Sequence, residues 1–135
     1  MGFGQFFPSE EEHVQVGDVN FTIPQGYQVG GLNSDGDLSL TNGTAYIYLA
    51  DYNGGDVTHY IDEYENYVNK TNASVSTSDF TIDDIQVYKA VNDVKGSEHF
   101  WFVKDNKVYT VYVWSNHPGI EDTIIDLIKS ANTSA

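Results

Sequence analysis

The chain has 135 residues, of which 40% are hydrophobic and 14% aromatic, so it has enough apolar volume for one domain with a single core. Its 20 acidic residues outnumber 6 basic ones, all lysine, and give a formal net charge of -14. The acidity and the lack of arginine argue against nucleic acid and anionic membrane surfaces as partners, because both are polyanions. The absence of cysteine excludes disulfides, thiol nucleophiles and cysteine-ligated zinc.

The N-terminal residues 1–12 mix glycine, phenylalanine, proline and glutamate without a period, and this predicts a flexible tail. They lack the basic and apolar segments of a signal peptide, and no apolar run of the chain is long enough for a membrane span. We therefore expect any export signal or anchor to lie outside this sequence. Residues 13–135 are predicted to form one domain.

The first strands are predicted from alternating apolar residues. The stretch "HVQVGDVNFTI" holds two short alternating runs separated by Gly17-Asp18, which predicts a hairpin or a bulged strand. The pair Asp35-Gly36 is typical of a tight turn, and it leads to the predicted strand "AYIYLADY". Strand alternation places the aliphatic and the tyrosine side chains of that strand on opposite faces.

A first helix is predicted over "GDVTHYIDEYENYVNKT", with Asp56 as its N-cap and Lys70 in its last turn. Its apolar residues recur at spacings of three and four along the helix and are Val57, Tyr60, Ile61, Tyr64 and Val68. A polar connection, "NKTNASVSTSD", is predicted to follow.

The second half of the chain is predicted to form three strands and a second helix. The stretch "FTIDDIQVYKAV" is predicted to be one strand with a break or bulge at Asp83-Asp84. The strands "SEHFWFVK" and "KVYTVYVW" are joined by Asp105-Asn106, which predicts a hairpin. The helix "PGIEDTIIDLIKSA" has Pro118 in its opening turn and one apolar stripe. This order predicts an α+β fold, a single antiparallel sheet of about six strands packed with two helices.

The stretch "NFTIPQGY" resembles the first strand and turn of the PsbP-like α/β/α sandwich superfamily, and "FWFVKDNKVYTVYVW" resembles its late hairpin. The resemblance covers residues 14–131 and implies that fold. The chain is also similar to small secreted or surface domains of methanogenic archaea, through this start and through "ADY" at residues 50–52. The superfamily has no common catalytic residues, so the resemblance implies none here.

The same opening stretch has a physical interpretation. Pro24 has no N–H to donate and should end the strand, whereas Gly26 permits a positive φ. Tyr27 can then fold its ring over the sheet edge.

Candidate catalytic and metal-ligating residues are sparse. His59 and Glu63 are four apart on the first helix and, with Asp51, define an alternative hypothesis of a metal-dependent hydrolase. Asp35 and Asp37 do not complete a calcium loop, since the residues at its sixth and twelfth positions do not fit. Asp83-Asp84, with Asp51, is a further candidate for a surface cation site. The chain shows no nucleophile elbow and no phosphate loop, so we predict no enzyme activity, no catalytic residue, no metal and no cofactor.

The aromatic residues form the most informative pattern. If the strands pair as predicted, one sheet face is aliphatic and the other carries Tyr46, Tyr48, Trp101, Tyr112 and Trp114. Two interpretations are open. The aromatic face could be a second core layer under a helix, or part of it could remain open as a flat platform for sugar rings or a partner chain.

The surface composition indicates export. Five Asn-X-Ser/Thr tripeptides start at Asn20, Asn42, Asn69, Asn72 and Asn132. The sequence therefore predicts a non-enzymatic extracellular or cell-surface binding domain with a protein or glycan partner at the cell envelope. A glycan-binding module that uses the aromatic face is an alternative to this interpretation.

Overall fold

The structure is a computed structural model that describes residues 12–52, 54 and 56–133. The predicted N-terminal tail lies outside the described residues except for Glu12. The elements in chain order are β1 (His13–Val16), β2 (Val19–Thr22), β3 (Gln28–Leu32), β4 (Leu38–Thr41), β5 (Tyr46–Tyr52), α1 (Val57–Asn69), β6 (Val75–Ile82), β7 (Ile85–Asn92), β8 (Glu98–Lys104), β9 (Lys107–Val113), α2 (Ile120–Lys129) and β10 (Asn132–Thr133). No helix among the described residues is long and apolar enough to cross a membrane.

The strands form two antiparallel sheets. The main sheet has seven strands in the order β3-β4-β5-β9-β8-β7-β6, and a small sheet pairs β1, β2 and β10. The α+β class is confirmed, but the prediction of one sheet with about six strands is wrong. The extra strands come from residues without a clear alternating pattern, such as β3, and from Asp83-Asp84, which is a hairpin turn between β6 and β7 instead of a bulge.

One face of the main sheet, which we call the α2 face, forms the larger core. Helix α2 and the small sheet cover it, and the buried helix residues are Ile120, Ile124, Leu127 and Ile128. The buried sheet residues are Leu40, Ile47, Leu49, Val87, Phe100, Phe102, Tyr109, Val111 and Val113. Complete burial of a side chain of this size stabilises the fold by about 1.5–3 kcal/mol.

The opposite face, which we call the α1 face, is covered by helix α1 over part of its area. Four of the predicted apolar residues of this helix pack on Ala90, Trp101 and Val108, namely Val57, Tyr60, Ile61 and Tyr64. Asp56 caps α1 as predicted, because its carboxylate accepts a hydrogen bond from the His59 N–H at 3.0 Å. Lys70 follows the last helical residue instead of lying within the last turn.

The predicted turns determine how the strands connect. Strand β2 ends before Pro24, and Gly26 has a φ of 87°. Tyr27 is partly buried against the larger core. The hairpin turn at Asp105-Asn106 has positive φ at both residues, 50° and 65°, as a tight two-residue connection requires.

Candidate functional site

The strand register brings the predicted aromatic residues onto the α1 face. Tyr48 lies opposite Tyr112, which in turn lies opposite His99 on β8. Trp101 and Tyr46 share this face through the alternation of their strands. Trp114 follows the end of β9 and contacts the rings of Tyr48 and Tyr112.

Neighbouring rings on this face are stacked, both across the strands and along β5. The ring centroids of Tyr48 and Tyr112 are 5.1 Å apart with an interplanar angle of 17°. Those of Tyr112 and His99 are 4.6 Å apart at 6°, and those of Tyr46 and Tyr48 are 6.4 Å apart at 18°. We call the set Tyr46, Tyr48, His99, Tyr112 and Trp114 the aromatic ridge.

This stacking decides which ring surfaces a partner could touch. At centroid separations near 5 Å, almost parallel rings must overlap face to face, because coplanar rings would collide. Tyr48 and Tyr112 therefore direct their faces toward neighbouring rings and only their edges outward. The geometry differs from a flat platform, and Trp114 is tilted by 57° to 72° against the rings that it contacts.

The five candidate residues differ in exposure. Tyr46 and Trp114 are 49% and 51% exposed, so each offers an open surface at the border of the ridge. Tyr48 is half-buried and Tyr112 is buried. Trp101 is only 1% exposed, because α1 covers it and Tyr64 contacts its ring edge-on at 5.7 Å. Trp101 thus belongs to the core under the helix, while the other four lie in the ridge.

A polar loop borders the ridge. Asn33 donates a side-chain hydrogen bond to the Tyr112 hydroxyl at 3.0 Å, and this hydroxyl donates to the Asp37 carboxylate. The Asn33 side-chain oxygen accepts the backbone N–H groups of Asp35 and Asp37, both at 2.9 Å. Burial and the hydrogen bond to Asp37 raise the pKa of Tyr112, and the charge of Asp35 adds to this effect. The border of the ridge is therefore electronegative.

His99 is the member of the ridge that the sequence did not single out. Its Nδ1 is buried without a hydrogen-bond partner among the described residues, and burial lowers the pKa of His99 to about 3. The ring is therefore neutral at physiological pH and acts as an aromatic spacer. The alternation of His99 with Phe100 would have placed it on the face of Trp101.

The residues of the hydrolase hypothesis do not come together. His59 and Glu63 form an exposed pair on α1, with 3.5 Å between Nε2 and Oε1. Asp51 lies opposite Tyr109, on the α2 face, where its carboxylate pairs with the Lys107 ammonium at 2.9 Å. No group of three or more His, Cys, Asp or Glu side chains in the described ranges could hold a metal ion.

Comparisons with solved structures identify similar folds. The structure of cyanobacterial PsbP (CyanoP) from Synechocystis sp. PCC 6803 has a TM-score of 0.61 at 10% identity, with 99% of this chain and 96% of that chain covered. A crystal structure from Bacteroides thetaiotaomicron has a TM-score of 0.53 at 10% identity and matches 95% of this chain over half of its own length. No family model and no curated protein matches the sequence. The chain thus has a PsbP-like α+β fold.

Proposed function

We propose that the protein is a non-catalytic binding domain that contacts its partner through the exposed part of the aromatic ridge. One observation carries the proposal: Tyr46 and Trp114, each about half exposed, both contact the ring of the half-buried Tyr48. Large aromatic side chains in fixed positions are the residues that dominate most binding interfaces.

The ridge is preorganised for binding. Tyr48 packs on the buried Tyr112, and the hydroxyl of Tyr112 is bonded to Asn33 and Asp37. Side chains that are already held in place lose little conformational entropy when a partner binds. Asn33, Asp37 and the Tyr112 hydroxyl at the border of the ridge are hydrogen-bonded to one another, which favours binding over acid-base chemistry.

The surface supports a location outside the cell. The sequon asparagines Asn42, Asn69, Asn72 and Asn132 are exposed, whereas Asn20 is half-buried within β2. The net charge of -14 suits a soluble domain in a salty or crowded exterior. We propose an extracellular or cell-surface role with a protein or glycan partner. The glycan alternative is favoured by the tilt of Trp114, which frees its ring from the stack.

Trp114 itself supplies the test. In a Trp101→Phe background its fluorescence is the only tryptophan signal, and soluble polysaccharides, oligosaccharides and synthetic peptides are titrated against it. A ligand of the ridge should shift the emission of Trp114, and Tyr46→Ala should weaken its binding. The control is Tyr67→Ala, because Tyr67 is an exposed tyrosine of α1 outside the ridge. Binding that survives both Tyr46→Ala and Trp114→Ala, as measured by calorimetry, would refute the proposal.

A further inference from the structure

The outer strand β3 is an open sheet edge. Within the described ranges it pairs only with β4, and all five of its residues are exposed. Its sequence "QVGGL" contains no charge and no proline, the devices by which proteins usually protect an edge strand. Val29 and Leu32 add exposed apolar side chains to this strand.

The other outer strand of the same sheet, β6, is different. It carries Asp79 and a series of serine and threonine residues, and both helices contact it. A charged residue, polar side chains and covering helices are the usual protection of a sheet edge against pairing with another chain. On the β3 side, the described part of the chain shows one such device, a bulge between Val29 and Gly31, where φ of Gly31 is 100°.

The β3 edge is continuous with the aromatic ridge. A Cβ atom on Gly30 would lie 3.7 Å from Cε2 of Tyr46 and 2.8 Å from Oγ of Ser39. Because Gly30 has no side chain, the Tyr46 ring reaches across β4 as far as β3. A strand added to β3 would therefore place every second side chain on the sheet face that carries Tyr46, and one of them beside the half-exposed Tyr46 ring.

Charge indicates which chain would bind there. Asp35 and Asp37 lie in the loop between β3 and β4, and the whole chain carries 20 acidic residues against 6 lysines. A lysine or arginine side chain beside the Tyr46 ring could form a cation–π contact, and a second one farther along the added strand, at the Leu32 end of β3, could form an ion pair with this loop. A second copy of the chain would bring a like net charge to the same edge, which opposes association.

From these observations we infer that β3 binds an extended basic segment of a partner protein as an additional antiparallel or parallel strand, with its alternate cationic side chains beside Tyr46 and the Asp35–Asp37 loop. This inference rests on the proposed function and names the class of partner for the ridge. Backbone hydrogen bonds would supply affinity, and the tyrosine and the aspartates would supply selectivity.

The test uses a short peptide of alternating lysine and valine, with an alternating glutamate and valine peptide as the charge control. A version of the basic peptide with N-methylated alternate residues lacks the donors for strand pairing. Amide hydrogen exchange of the full chain is the readout. We expect slower exchange across Gln28–Leu32 with the basic peptide alone, and affinity that falls with salt.

Two matched variants separate strand pairing from general charge attraction. Leu32 and Val94 are 70% and 71% exposed, and Val94 lies in the turn between β7 and β8. Leu32→Lys and Val94→Lys make the same change in net charge at sites of equal exposure. We expect Leu32→Lys to weaken peptide binding by about tenfold and Val94→Lys by less than about twofold.

Several outcomes would overturn the inference: equal weakening by the two lysine variants, equal binding of the N-methylated peptide, protection at β6, or self-association through β3 without peptide binding. The proposed function has a separate readout. If a saccharide shifts Trp114 emission and Tyr46→Ala abolishes this effect while the peptide leaves β3 unprotected, the ridge binds a ligand and only the strand inference fails. If neither ligand class responds to Tyr46→Ala or Trp114→Ala, both proposals fail.

Discussion

The two faces of the main sheet differ in their side chains and in the elements that cover them. The α2 face presents aliphatic and phenylalanine side chains, and both a helix and a second sheet close it. The α1 face presents tyrosine, histidine and tryptophan, and one helix covers part of it. Among the described residues of α1 only Val68 is buried, whereas α2 buries four residues.

The difference shows how a sheet face can stay open without exposing a broad apolar surface. In the ridge the stacked rings of Tyr48, Tyr112 and His99 cover one another's faces. Stacking thus replaces the covering element that the α2 face needs. The aliphatic face is closed on itself, whereas the aromatic face keeps Tyr46 and Trp114 about half exposed.

The largest expected effect on stability comes from truncating a buried side chain of the α2 face. Phe102 is fully buried and contacts Phe21 and Tyr109. Phe102→Ala should lower the free energy of unfolding by about 3–5 kcal/mol, because it removes apolar burial and leaves a cavity. Urea titration followed by circular dichroism measures this loss. Tyr46→Ala, on the open face, should cost far less, and an equal loss would contradict the contrast between the faces.

Acid should act on the α1 face through His99. Burial lowers the pKa of His99 from 6.5 to about 3, so between these values the unfolded chain binds a proton that the folded chain does not. Above pH 6.5 both states are neutral at His99 and the free energy of unfolding is not reduced. Below pH 6.5 the proton bound by the unfolded chain lowers the free energy of unfolding, and this loss grows as the pH falls toward 3. At about 1.4 kcal/mol per pKa unit, the loss should amount to a few kcal/mol.

His99→Phe is the matched variant for this prediction, because phenylalanine keeps a ring between Tyr64 and Tyr112 and cannot titrate. The free energy of unfolding is measured from pH 7 to pH 3.5 in both proteins. The variant should decline less steeply than the wild type. Parallel curves would show that His99 does not remain neutral on folding.

The preceding residue, Glu98, should respond in the opposite direction on the α2 face. Burial raises the pKa of Glu98, and the nearby Lys89 opposes this effect from 3.8 Å. The charged form is therefore unfavourable in the folded protein at neutral pH, and the penalty is relieved as the pH falls. Glu98→Gln should stabilise the fold at pH 7 by about 1 kcal/mol.

The matched variant is Glu121→Gln, which removes the carboxylate that Lys89 contacts most closely. It should destabilise the fold by less than about 1 kcal/mol, because the Glu121 side chain is partly exposed. Thermal unfolding at pH 7 distinguishes the two variants. If both shift the midpoint in the same direction, burial of the Glu98 charge is not the dominant cost.

The sequence predicted those features that depend on local patterns. The apolar period of both helices, the Asp56 cap, the Asp105-Asn106 turn and the opposed faces of β5 are confirmed. Strand β3 was missed because "QVGGL" has no alternation, and its pairing depends on β4. The sequence predicts one strand with a break or bulge at Asp83-Asp84, since the residues on both sides carry the same pattern, and the structure has a hairpin turn there instead.

For the candidate residues, the sequence predicted the shared sheet face but not the packing of the rings on it. Alternation gave the shared face of Tyr46, Tyr48, Tyr112 and Trp101. Alternation could not indicate how much of this face α1 covers. The edge of the area under α1 separates the buried Trp101 from the exposed Trp114. Ring stacking depends on cross-strand register and on side-chain rotamers, so the sequence alone leaves open a covered core layer or a flat platform, where the structure has a ridge of stacked rings.

The smallest expected effect on stability is at the two tryptophans, one covered by α1 and one open. Trp114→Phe should change the free energy of unfolding by less than about 0.5 kcal/mol, because the ring is half exposed. With Trp101 as the remaining fluorophore, acrylamide should quench the emission weakly. In Trp101→Phe, the remaining Trp114 should be quenched freely. Equal quenching constants would mean that α1 does not shield Trp101. The open part of the aromatic face would then include the area under the helix.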